Sequence, residues 1–244
     1  MAALLTAGVP VSGPHGRGYR GAGDGAVLLC VPDDAIPAAA ATVAPGALLG
    51  HCSGASTLDV LGAREGFSLH PLMTVTWDGA DFTGVPAAIA GTTDRSLAAA
   101  GALADALGLR PVRVADVDRV AYHAAAAFAS NFLVTVESAA AQLMSTAGLD
   151  RDVLLPLARA ALENWGRGGP AALTGPVARG DQRTVDRHRE VVRSRAPELA
   201  ELFEALVSAT RRLAAQNVTV QNSMGQHPVG SAAPADPTQE STTP

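Results

Sequence analysis

The chain has 244 residues, a length for one large or two small domains, and all 18 of its basic residues are arginine. With no lysine it can hold neither a P-loop lysine, a Schiff-base lysine nor a lysine general acid. Apolar residues at 48% suffice for a buried core, while 4% aromatics and a net charge of −5 weigh against a nucleic-acid partner.

Cys30 and Cys52 both lie in apolar runs far apart in sequence, too few for a disulfide framework or a structural zinc site. They read as reduced core thiols. The opening segment MAALLTAGVPVSG has no basic start, and the apolar runs are broken by Pro, Asp or Gly. The expectation is a cytoplasmic protein with no membrane contact.

In chain order, Ala2–Ala7 reads as the last turns of a helix stopped at Gly8, followed by Val9–Ser12 as a strand. Val27–Val31 is a continuous apolar run closed by Pro32-Asp33-Asp34, as expected of a parallel strand buried on both faces. Ala47–Cys52 is a second such run, Phe67–Leu69 with His70-Pro71 a third and Pro86–Ala90 a fourth. Asp34–Val43 and Ser56–Glu65 have helical composition. Asp94–Leu107 is a clearer helix, opened by Thr93 or Asp94 and closed at Gly108. Strands alternating with helices predict a parallel sheet with right-handed crossovers, over residues 1–117.

Residues 118–216 read as all-helical. Asp118–Thr146 contains neither Gly nor Pro. Asp150–Trp165 makes a second helix, and a Gly/Pro-rich loop, Gly168–Gly180, leads to a third over Asp181–Arg195 with Asp181 as its cap. Pro197 opens a last helix ending near Gln216. Residues 217–244 are Pro/Ser/Thr/Gln-rich and read as a disordered tail.

Gly16-Arg17-Gly18-Tyr19-Arg20-Gly21 spells G-x-G-x-x-G, but the pyrophosphate cradle needs a helix to begin within it, and Ala22–Gly25 leaves no room before the next strand. The loop fits better after the second strand of a dinucleotide-binding unit, at the adenosine ribose, together with Ser12 at that strand's end. An acidic residue there selects NAD, whereas arginine accommodates the 2′-phosphate of NADP, and Arg17 and Arg20 stand there without a carboxylate before Asp24. A solvated arginine loop is the alternative. On this reading strand one and its glycine turn belong upstream of Met1.

The segments VLLCVPDDAI, GHCSGAS, FSLHPLMTV, DRVAYHAAAAFASNFLV and TGPVARGD resemble, over about Ala2 to Ala215, a family of bacterial Rossmann-like proteins. Its helical C-terminal domain, of unassigned function, is like that of 6-phosphogluconate dehydrogenase. Members are described as NADP oxidoreductases. They are similar at long range to deazaflavin-dependent NADP oxidoreductases, pyrroline-carboxylate reductase, prephenate dehydrogenase and the β-hydroxyacid dehydrogenases. The resemblance implies NADP bound across the strand ends, at Val31, Pro32 and Asp33 and at Ser53 and Gly54, and a homodimer formed through the helical domain. The strand and G-x-G-x-x-G with which members begin do not appear here.

His70 follows an apolar strand and precedes Pro71, which favours an extended backbone and places the ring at the strand's carboxyl end. It resembles the His-Pro motif of prephenate dehydrogenases, whose histidine contacts substrate, and a histidine can move a proton as hydride moves. A histidine that merely caps backbone is the alternative. His123, Ala127, Ser130 and Asn131 fall at i, i+4, i+7 and i+8 and share a helix face. In β-hydroxyacid dehydrogenases that face carries Lys-x-x-x-Asn. Asn131 matches the Asn, whereas Ala127 stands at the Lys, leaving His123 or His70 to manage the proton and Ser130 and Asn131 to orient the reacting oxygen. A polar stripe buried against a neighbouring domain would look the same. Arg179 could grip a substrate carboxylate bidentately or form a structural ion pair. Asp33-Asp34 and Asp116/Asp118 lack further ligands at a convincing spacing, so no metal is expected. The functional expectation is an NADP-dependent oxidoreductase acting on a small carboxylate of the 2-keto or hydroxy acid type; a non-catalytic nucleotide-binding or protein-interaction module is the alternative.

Overall fold

The computed structural model describes residues 1–76 and 79–224. The chain divides into two compact units, Met1–Thr135 and Val136–Pro244. The first is an α/β layer built on five strands: β1 (Ala26–Leu29), β2 (Leu48–His51), β3 (Gly66–Pro71), β4 (Pro86–Gly91) and β5 (Arg110–Arg113), adjacent in that order. Its helices are α1 (Ala2–Thr6), α2 (Ile36–Thr42), α3 (Asp94–Ala106) and α4 (Arg119–Ala127).

β2 is buried along its whole length, and its alternation divides the core. Leu48 joins Phe67, Leu69, Ala87 and Ile89 under α3, where Ala100 and Ala104 let the helix approach. Leu49 faces the other way, onto Leu29, Ile36, Ala40 and Leu61 beneath α2. This two-faced burial is why the strand reads as an unbroken apolar run. Thr93 caps α3 by accepting the Ser96 N–H, and Ser96 returns the bond to the Thr93 N–H, as the sequence indicates for this start.

Four expectations need correction. The sheet is parallel over β1–β2–β3 and again over β4–β5, but β3 and β4 pair antiparallel, Ser68 opposite Ala90 and His70 opposite Ala88. A parallel return needs a crossover, usually a helix, and the described residues between Leu72 and Val85 form none. Val9–Ser12 is not a strand: Pro10 has no N–H to give a ladder, and the Val9 N–H bonds back to Leu4. Ser56–Glu65 forms only a 3-10 turn at Leu58–Leu61. β5 escaped the apolar-run reading because its sequence, RPVR, is that of a charged edge strand.

The long helix of the sequence is present but not uniform. α4 passes through a π turn at Phe128–Phe132 into α5 (Leu133–Ser145). By length and apolarity the stretch Asp116–Ser145 meets the test for a membrane-crossing helix. The second unit continues with α6 (Leu155–Gly168), α7 (Gln182–Arg195) and α8 (Ala200–Met224). Asp181 caps α7 through Thr184, and Arg189 pairs with Glu204 between α7 and α8. α8 runs past Gln216, so residues 217–224 are helical rather than disordered; the rest of the expected tail lies outside the described residues.

Gly50 is a tight point of the core: an added Cβ there would come within 2.4 Å of Phe67 Cζ. Gly50→Ala should cost about 1–3 kcal/mol by overpacking. Urea unfolding should show a lower midpoint at an unchanged m-value.

Candidate active site

The carboxyl ends of β1, β2 and β3 converge with the first turns of α4. After β1, the Asp33 carboxylate accepts a hydrogen bond from the Ser53 hydroxyl at 2.6 Å. The same hydroxyl oxygen accepts the Ala55 and Ser56 N–H groups, fixing the turn that follows β2. Gly54 lies at the apex of that turn. A Cβ on it would come within 2.7 Å of the His123 ring and 2.8 Å of His70 Cε1 and Nε2, so only glycine leaves that edge of His70 open.

His70 stands near the end of β3, with Nδ1 2.9 Å from the Tyr122 hydroxyl and its ring centroid 6.0 Å from that of His123. Burial and, secondarily, the charges of His123 and Arg119 lower its pKa below the ordinary histidine value. The imidazole is therefore neutral at pH 7. Burial raises the Tyr122 phenol, which stays protonated.

Arg119 is the base of the arrangement. It is fully buried, donates from Nη2 to Ser68 Oγ of β3 at 2.6 Å, and meets Asp116 from Nε. Its Nη1 has no hydrogen-bond partner among the described residues. His51, at the end of β2, is also fully buried, with Nδ1 accepting the Ser53 N–H. Burial first, and the Arg119 charge second, press its pKa down to about 4. Its Nε2 makes no well-formed hydrogen bond, though the Thr57 backbone favours the protonated ring.

The structure thus brings together Asp33, Ser53, Gly54, His70 and His123 from the sequence reading. Val31 and Pro32 are exposed on the same strand-end turn. Ser130 and Asn131 fall within the π turn, where each turn takes up an extra residue. The regular spacing from His123 therefore slips, leaving Ser130 half-buried and Asn131 exposed. Ser12 pairs with His15, and Arg17 is exposed in the same loop. Arg20 lies elsewhere: its carbonyl accepts the Ala44 N–H ahead of β2, at the amino ends of β1 and β2. There it lines, with Gly18, Thr42 and Arg64, a cleft of about 510 Å³. Arg179 is exposed in the turn before α7, in the second unit. The sequence reading missed Arg119, Tyr122 and His51. The signal for the first two was present: Arg119 is the lone cation of a long apolar helix, and Tyr122 and His123 follow it at i+3 and i+4.

Residues 63–210 match the family described as a domain of unknown function, DUF2520. The chain belongs to that family. Among solved structures it is similar to a Bacteroides fragilis protein provisionally described as an NADP oxidoreductase. That pair shares 23% identity over 76% of this chain and 74% of the other, with a TM-score of 0.69. It is also similar to a Thermotoga maritima protein, at 26% identity over 78% of this chain and 79% of the other, with a TM-score of 0.68. No curated protein matches it in sequence. These likenesses establish for this DUF2520 member the Rossmann-like α/β fold expected from the sequence.

His51 gives the site a pH signature. A histidine whose folded pKa lies below its unfolded one binds more protons when unfolded, so stability falls as pH drops from the unfolded value near 6.5 toward 4. At about 1.36 kcal/mol per pH unit this amounts to about 3 kcal/mol. In His51→Asn the amide oxygen can replace Nδ1 as acceptor of the Ser53 N–H. Denaturant midpoints measured from pH 7 to 4 should therefore fall less steeply in the variant than in the natural chain.

Proposed function

We propose that the protein is an NADP-dependent oxidoreductase acting on a small carboxylate substrate of the 2-hydroxy or 2-keto acid type. The observation that carries this reading is His70 at the carboxyl end of β3, bonded to Tyr122 and facing His123 across Gly54. Ligands of open α/β sheets bind outside such strand ends. The residues fit a dinucleotide there: the Asp33–Ser53 hydrogen bond shapes the turn, and Gly54 is a cradle that any Cβ would fill. Bound there, the nicotinamide would supply or accept the hydride.

The chain's own residues then divide the work. With Nδ1–H donating to the Tyr122 oxygen, the lone pair of His70 Nε2 remains on the edge that Gly54 leaves open. A neutral imidazole is in the correct state to take the proton of a substrate hydroxyl. Arg119 is a positioning residue: it ties α4 to β3 through Ser68, and its charge adds to the burial that lowers the His70 pKa. Ser130 and Asn131 would orient the reacting oxygen. The choice of NADP over NAD follows from the family resemblance, since Arg20 stands at the opposite strand ends.

Fluorescence titration should show NADPH binding tighter than NADH, and His70→Asn should keep that affinity while losing turnover on 2-hydroxy acids about 10²–10⁴-fold. The oxidation rate should rise with pH to a plateau reached below neutrality, because His70 must be unprotonated to accept the proton. Binding of neither nucleotide would sink the oxidoreductase reading.

A homodimer belongs to the same proposal. Phe128 is 71% and Phe132 49% exposed, and Val134, Leu157 and Trp165 are also exposed on the helices. The helix carrying the two phenylalanines is tied to protein near both ends, by Arg119 to Ser68 and by Gln142 to Glu198, which suits burial against a second copy better than a bilayer. Light scattering should give twice the chain mass, and Phe128→Asp with Phe132→Asp should halve it.

A further inference from the structure

The two cysteines, distant in sequence, are neighbours in the fold. Cys30 follows the last residue of β1 and Cys52 the last residue of β2. The ladder ends on the pair Leu29 and His51, so Cys30 and Cys52 each stand one residue past it on adjacent strands. Adjacent strands lie about 4.8 Å apart and directly opposed residues leave the same face of a sheet. That spacing falls within the roughly 4.4–6.8 Å between Cα atoms that a disulfide spans. Both thiols are free, and Cys30 is exposed rather than in the core, correcting its reading from sequence; Cys52 is half-buried.

We propose that Cys30 and Cys52 form a reversible dithiol–disulfide pair at the carboxyl ends of β1 and β2, with a peroxide as oxidant. The pair is poised asymmetrically. The Cys52 thiol donates a hydrogen bond to the Cys30 sulfur, which brings Cys30 down to about 7 and pushes Cys52 up. Cys30 is the attacking sulfur: its thiolate takes one oxygen of hydrogen peroxide, the O–O bond breaks, and Cys30 sulfenic acid and hydroxide result. Loss of the thiolate removes what held the Cys52 proton. Cys52 then attacks the Cys30 sulfur, the S–O bond breaks, and its proton leaves with the departing oxygen as water. In sum two thiols and one peroxide give one disulfide and two waters.

The location gives the pair its reach. Cys52 immediately precedes Ser53, whose hydroxyl holds Asp33 on the turn after Cys30. A sulfur–sulfur bond would clamp the two chain segments that form that hydrogen bond. The inference goes beyond the oxidoreductase reading, and its primary test uses no nucleotide.

The test is intact-mass spectrometry of the reduced full chain after one equivalent of hydrogen peroxide. The expected product is a monomeric chain lighter by two hydrogens, with a Cys30–Cys52 linked peptide that dithiothreitol dissolves. In Cys52→Ser the reaction should stop at a sulfenic acid that dimedone traps on Cys30; Cys30→Ser should stay unmodified at the same dose. A natural chain that gains two oxygens on Cys30, links only to a second chain, or remains unchanged overturns the proposal. That measurement decides even if a serine variant fails to fold.

Discussion

A buried guanidinium is the constraint on which the site depends. Arg119 has no exposed surface, yet an arginine keeps its charge in any environment a protein offers. It is tolerated because Ser68 accepts one of its donors and Asp116 lies at another, and those two bonds fix where α4 begins relative to β3. Once that helix start is fixed, Tyr122 and His123, one turn further on, have little choice but to meet His70 over Gly54. The same charge, in surroundings of low polarity, works against protonation of both His51 and His70. One side chain thereby sets the geometry of the strand-end cluster and adds to the burial that keeps its histidines unprotonated.

The reversal of direction between β3 and β4 contributes from the other side. Had a helix carried the chain back after Pro71, β4 would run parallel and its first residues would lie at the opposite end of the sheet from His70. Instead His70 pairs with Ala88 and Pro71 with Ala87, small residues that let β3 extend to Pro71 without crowding the ring.

Legibility in the sequence followed the strength of the local signal. The apolar run at Ala47–Cys52 announced a strand because both faces of β2 are buried, and Thr93 and Asp181 announced helix starts because capping is a contact within a few residues. His70 was legible as a residue at a strand's carboxyl end, whereas Ser53 and Gly54 came into view through the family resemblance. What stayed hidden is non-local. Nothing near Arg119 in sequence says that its partner is Ser68, 51 residues away. The antiparallel pairing is set by the contact of β3 with β4 rather than by either strand's own sequence, and β5 carries its apolar content in a single Val112. The π turn is hidden for another reason: FASNF has the composition of ordinary helix, so periodicity carries Ser130 and Asn131 through it unshifted.

The cysteines show the same limit most plainly. In sequence they are two isolated thiols in apolar runs, and burial is the natural reading of each. The parallel ladder changes their meaning, because it sets the ends of β1 and β2 side by side and aligns one residue past each end. A thiol that accepts a hydrogen bond from its neighbour is no longer an inert apolar group, and its partner is the group best placed to resolve any oxidation it suffers. Strand register, invisible to composition and spacing, is what turns two core-like residues into a reactive pair.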